Sequence, residues 1–358
     1  MMPHRRLAGA ARRSRPLTRA GFLLGSRATT RPVWLRALVT VVLVALLAAP
    51  PAVLAQGGAP AAGTPLARAV AWLQTQQNQD GGFGSPGKSD PSTTASAVIA
   101  LAAGQRAGLE VKLDRALAYL DTQALVYTQR GVGQAAELAL AERAAGRDPS
   151  SVAKVNPLAI VEHGLGHGDQ LAAADVFDHA LAMLALAADR QPVPAGAVQA
   201  LARTQIGDGS WAFDGSTEAG KGDSNTTALV IQALVAAGHG KDAMVAQALA
   251  YLRSVQAPSG AFAYQPAHPL VPDANSTALA VQAILAAGQD PASPAWKNAT
   301  AALAAFQNPS GAFRYTDAQR GDNLLATVQA IPALAGLPLP ILPRGRATPA
   351  ASAPRLAA

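Results

Sequence analysis

One phrase occurs four times in this 358-residue chain: "QNQDGGF" from Gln77, "QIGDGSWAF" from Gln205, "QAPSGAFAY" from Gln256 and "QNPSGAFRY" from Gln307. Each reads Q-x3-G-x-[F/W], and a leucine stands four residues ahead of each glutamine, at Leu73, Leu201, Leu252 and Leu303. Gly209, Gly260 and Gly311 follow one another at intervals of 51 residues. A chain with such a period is built from repeated units, each of which buries its apolar face only against its neighbours.

The stretches between the phrases define the unit. Residues 243–256 place Met244, Ala248, Leu252 and Val255 on one stripe, with Gln247 and Arg253 elsewhere, as an amphipathic helix requires. Comparable stretches lie near 66–77, 110–123, 151–163, 194–205 and 294–307, where Pro194 and Pro294 suit a first helical turn. Each is followed by a helix of another kind, apolar almost all round and rich in alanine, near 92–103, 134–145, 174–187, 225–237, 275–287 and 323–335. Such helices are buried on several sides, and their small residues admit close neighbours. Gly104, Gly146, Gly238, Gly288 and Gly336 end them. Six hairpins of one amphipathic and one apolar helix predict an all-α, α/α toroid (an α6/α6 barrel) over residues 66–336, with the apolar ring inside. No polar capping repeat is present, which favours closure over an open solenoid. Units two and three lack the Q-x3-G-x-[F/W] phrase.

The flanks differ in kind. Residues 1–55 carry nine arginines and no acid, so 20 basic residues face 22 acids in the remainder. The basic balance therefore belongs to the N-terminus and gives no support for nucleic-acid binding. "ALVTVVLVALLAA" (37–49), followed by small residues before Gln56, predicts an export signal over 1–55. An uncleaved membrane anchor over 37–55 is its alternative. Residues 56–65 read as a linker, and 337–358 as a Pro/Ala-rich, flexible or extended tail. There is no cysteine, so an exported protein of this sequence is held together by packing alone.

The L-x3-Q-x3-G-x-[F/W] phrase resembles the QW motif of the squalene-cyclase-like terpenoid cyclase and protein prenyltransferase superfamily, whose members fold as α/α toroids. The resemblance implies that the phrase is a structural brace: Gln77, Gly81 and Phe83; Gln205, Gly209 and Trp211; Gln256, Gly260 and Phe262; Gln307, Gly311 and Phe313. Glutamine would satisfy orphan carbonyls at a helix end, glycine would allow a tight turn, and the aromatic ring would seal the join between units.

The chemistry that the resemblance implies is only partly provided. A prenyltransferase zinc site uses aspartate, cysteine and histidine, and no cysteine exists here. The D-x-D-D acid cluster of squalene-type cyclases is absent, and the D-D-x-x-D signature is approached only by "ADVFD", with Asp175 and Asp178. Phe177 is the sole aromatic on a predicted inner helix. These departures favour a non-catalytic module binding a small apolar or amphipathic ligand or another exported protein. An isoprenoid-processing enzyme with an atypical site is the alternative, with Asp175, Asp178 and His179 as its catalytic candidates. The export signal and alanine-rich helices also resemble the cobalamin carriers, which makes cobalamin a candidate ligand, although no second β-domain follows Gly336.

Asp-x3-[Thr/His]-Ala opens four inner helices: Asp90, Asp175, Asp223 and Asp273, with Thr94, His179, Thr227 and Thr277. Helix capping explains these groups. A ring of ligand-binding groups at the toroid's mouth is the functional reading, and the two can coexist. His163 and His167, four residues apart, could bind zinc with Asp175 or Asp178 completing the site, but Gly164, Gly166 and Gly168 are expected to break any helix there, which favours a polar loop in place of the missing brace.

Overall fold

The computed structural model describes residues 63–343, apart from 167, 169 and 174. The expected export signal and most of the linker lie outside the described residues. Twelve α-helices alternate along the described chain: α1 (Pro65–Thr75) with α2 (Pro91–Arg106), α3 (Asp114–Thr128) with α4 (Val132–Ala144), and α5 (Pro157–Leu165) with α6 (Val176–Ala188). Then come α7 (Ala195–Thr204) with α8 (Ser224–Ala236), α9 (Ala243–Ser254) with α10 (Ala274–Ala286), and α11 (Ala299–Ala304) with α12 (Leu324–Leu334). No helix among the described residues is long and apolar enough to cross a membrane.

The second helices of the pairs form a closed ring. Each packs on the next, from α2 through α4, α6, α8 and α10 to α12, and α12 returns to α2. The first helices lie outside them. This layering follows from the residues: α10 is buried continuously from Ala274 to Ile284, whereas α7 buries only Ala197, Val198, Ala200 and Leu201. An all-apolar helix removes more surface from water inside the ring than at its rim, so it goes inside. The toroid is as the sequence predicts.

The repeated phrase forms the joint between units. Gln205 donates through Nε2 to Gly209 O (3.0 Å) in its own loop and to Met244 O (2.9 Å) in α9, the outer helix of the next unit. Gln256 does the same with Gly260 O (2.9 Å) and Trp296 O (2.8 Å). Gln307 bonds Gly311 O (2.8 Å) and Pro65 O (2.8 Å), and accepts from Arg68, so the same joint ties the last unit to the first. The glycine is obligatory for two reasons. At Gly209 φ is +90°, and a side chain there would overlap the Gln247 carbonyl of the neighbouring helix. The rings at Phe83, Trp211, Phe262 and Phe313 are all fully buried.

Three expectations are corrected. The outer helix of unit three begins at Pro157 rather than near 151 and runs through His163 and Gly164 to Leu165. Gly164 does not break it: Val132 Cγ2 would lie 2.6 Å from a β-carbon there, so the glycine lets α5 press against α4. The stretch 294–307 is not one helix but a 3-10 turn, Pro294–Trp296, followed by α11, because Lys297 and Asn298 turn left-handed and Asn298 caps α11. Finally, the start of the tail is packed rather than loose. Leu339 N donates to Gln232 Oε1 of α8 (2.8 Å), and Ile341 is buried.

Candidate functional site

The acids that open the inner helices are N-caps. Asp90 accepts from Thr93 N (2.9 Å), Asp175 from Asp178 N (2.7 Å), Asp223 from Thr226 N (2.8 Å) and Asp273 from Ser276 N (2.8 Å). The threonines four residues on lock the brace to the same helix. Phe83 N donates to Thr94 (2.9 Å), Trp211 N to Thr227 (3.0 Å) and Phe262 N to Thr277 (3.0 Å). Each hydroxyl in turn donates to the carbonyl of its cap residue. Thr94, Thr227 and Thr277 are fully buried, and Asp223 and Asp273 nearly so. Their polar atoms are used within the fold, as the capping reading expects. Unit six repeats the device with Asn323 and Thr327, a copy hidden in the sequence by the exchange of aspartate for asparagine.

Unit three meets the same need differently. His179 is buried; its Nδ1 accepts from Ala172 N (2.9 Å), which leaves the proton on Nε2 to meet Ala197 O of α7 (3.0 Å). Burial lowers the imidazole's proton affinity, so it stays neutral in this role. His179 thus replaces both a threonine and a brace glutamine. His163 is exposed and borders an apolar depression of about 420 Å³ with Val132, Ala159, Ile160 and Ala172. His167 lies outside the described residues, and no cluster of three potential metal ligands occurs among those described.

Chemistry gathers instead where a brace is missing. Only Gln129–Gly131 separate α3 from α4, so no brace loop crosses the ring's mouth there. In this gap Glu137 of α4 accepts from Ser96 of α2 at Oε1 (2.8 Å) and from the Tyr127 hydroxyl of α3 at Oε2. Burial pushes the Glu137 carboxyl up, against the opposing pull of these hydrogen bonds. Asp178 stands nearby on α6. A side chain at Gly133 of α4 would overlap its carboxyl group, so that glycine allows the approach. Burial, then the charges of Asp175 and Glu137, raise Asp178 to about 7. Asp175 is raised as well, by burial.

The repeat register shows where Glu137 points. Threonines four residues after a cap face the braces. Residues two, six and nine after a cap lie about 140–200° round the helix from them, toward the ring's interior. Glu137 is six residues after Gly131, the equivalent of Ser96, and both keep part of their surface accessible. Burial and the neighbouring charges thus shift all three carboxyl groups in the same direction, toward the protonated form.

This fold and site can be set beside known proteins. The family model of the prenyltransferase alpha-alpha toroid domain matches residues 35–132, 171–267 and 228–337, well over half of the chain. The chain belongs to this family. A stretch of 55 residues is 58% identical to drimenyl diphosphate synthase of Streptomyces showdoensis. That match covers 15% of this chain and 10% of the relative, so it spans about a tenth of that protein's length. The type II terpene cyclase MstE from Scytonema is similar in structure, with a TM-score of 0.54 and 17% identity over 76% of this chain and 96% of the other. An alpha-1,6-mannanase from Salegentibacter has the same TM-score, at 13% identity over 76% and 98% of the chains. Structural likeness at these identities establishes the toroid; the carboxyl cluster has to distinguish the chemistries it can host.

Proposed function

We propose that the toroid is an isoprenoid-processing enzyme of the proton-initiated cyclase type, in which Asp178, coupled to Glu137, protonates an alkene of a linear prenyl chain. One observation carries this reading: the Asp178 carboxyl is packed against α4 at Gly133, near the Glu137 that Tyr127 and Ser96 anchor, where burial raises it to about 7. A general acid works best when its pKa lies near the operating pH. Once the proton has moved, carboxylates at the mouth favour the positive charge left on the chain. The match to drimenyl diphosphate synthase and the fold of MstE, recorded with geranylgeranyl dihydroxybenzoate as substrate, support an isoprenoid substrate class. The atypical feature is the origin of the acids, which come from two inner helices rather than from one contiguous motif. Export through the N-terminal apolar run would place the enzyme outside the cytoplasm.

The test is turnover. The purified protein, incubated with prenols and prenyl diphosphates of increasing length, is expected to yield cyclic products by gas chromatography–mass spectrometry. Asp178→Asn and Glu137→Gln should each lower the rate at least a hundredfold with the melting temperature nearly unchanged. Full activity in both variants would remove the acid assignment. A corrinoid released from protein purified from its own host, with no prenyl product, would put a carrier in place of the enzyme.

A further inference from the structure

We infer that the inner ring receives its isoprenoid as a neutral molecule bearing a hydroxyl group, not as a diphosphate, and that the amide oxygens of Asn275 and Gln329 are the hydrogen-bond acceptors open to that hydroxyl. The inference rests on the isoprenoid reading of the same ring and names the substrate's head group. Asn275 is two residues after the cap of α10, and Gln329 six after the cap of α12, so both belong to the interior stripe of adjacent helices. Asn275 is 95% buried, and its Oδ1 has no hydrogen-bond partner; Oε1 of Gln329 is buried and equally unpartnered. The neighbouring interior amides are already engaged, Gln232 with Leu339 N and Gln282 with Gln329 O. A buried acceptor left unpaired is costly, so two on one wall mark a place for a donor.

Charge excludes the alternative head group. No Lys or Arg occupies the positions two, six or nine residues after any of the six caps, and the stripe's one charged residue is Glu137. Arg130, beside the cluster, is exposed and lies over the Tyr127 ring at 5.5 Å. A diphosphate inside would face the Glu137 carboxyl with no cation on the stripe to pair its charge, whereas a hydroxyl supplies the missing donor and leaves the alkene chain for the acid side.

Binding to the full chain tests this with three probes of one chain length: farnesol, farnesyl methyl ether and farnesyl diphosphate, measured by titration calorimetry. Farnesol should bind about tenfold tighter than the ether, which lacks the donor, and the diphosphate weakest. Asn275→Leu and Gln329→Leu should erase the preference for farnesol while leaving affinity for the ether intact. Unchanged ether binding also shows that these variants are folded. Equal affinity for farnesol and ether would assign the two acceptors to ordered water and overturn the inference. Tightest binding of the diphosphate, or no binding of any probe, would overturn it too. The preference for farnesol without turnover of any prenyl substrate would sink the enzyme reading and leave this one standing. Turnover of the diphosphate with parity of farnesol and ether would do the reverse.

Discussion

At the scale of single residues, the site depends on a glycine. The Asp178 carboxyl lies so close to the backbone of α4 that a methyl group at position 133 would overlap it. Gly133→Ala is therefore expected to displace the acid while improving the helix, since alanine is the better helix former by about 1 kcal/mol. Turnover should fall at least tenfold while the melting temperature holds, and a pH–rate profile should show the upper limb moved from near 7. An unchanged profile would detach Asp178 from the reaction. Asp175 and Asp178 could be singled out from "ADVFD" alone. Glu137 could not. It sits in "AAELAL", which matches no motif, and α4 begins at Gly131 without a side-chain cap. The Asp-x3-Thr signal that marks the register elsewhere is therefore missing on the one helix where counting six residues onward would have found an acid.

At the scale of elements, unit three shows which parts of a repeat the sequence makes legible. The alanine-rich helices and the four braces follow from pattern, because their residues perform the same local task each time. The departures come from contacts between units. α5 continues through Gly164 because Val132 of α4 needs that space, and the turn at Lys297–Asn298 sits where Trp296 is buried beneath the Arg253 guanidinium, 3.9 Å from the ring centre. No single-segment pattern encodes such contacts. His179 is the instructive case, a titratable residue that looks catalytic yet carries a joint. His179→Leu would leave Ala172 N and Ala197 O without partners, at a cost of roughly 2–5 kcal/mol. His179→Gln can keep the bond to Ala197 and should recover part of that loss. Urea denaturation of both variants reads the difference. If His179→Leu loses activity at wild-type stability, the residue is catalytic and the joint is incidental.

At the scale of the whole molecule, closure leaves the ring with buried carboxyl groups at both ends. Asp178 at the mouth and Glu142 toward the opposite end are each raised to about 7, and the caps Asp223 and Asp273 to about 6, in every case chiefly by burial. Glu137 and Asp175 shift the same way. A group whose pKa is higher in the folded state than in the unfolded chain adds stability that is complete below the unfolded value and is lost as pH rises through the folded one. For these carboxyls the window runs from about 4 to about 7. His179 has the opposite sign, since its lowered pKa costs stability as the medium turns acid, but it is one group against six. The melting temperature should therefore be higher at pH 5 than at pH 8, with the slope flattening above about 7. Asp178→Asn removes one of these groups and should reduce the slope without reversing it. A toroid that melts lower at pH 5 than at pH 8 would mean that these carboxylates are ionised and paired in the folded state, and the acid chemistry proposed for Asp178 would lose its basis.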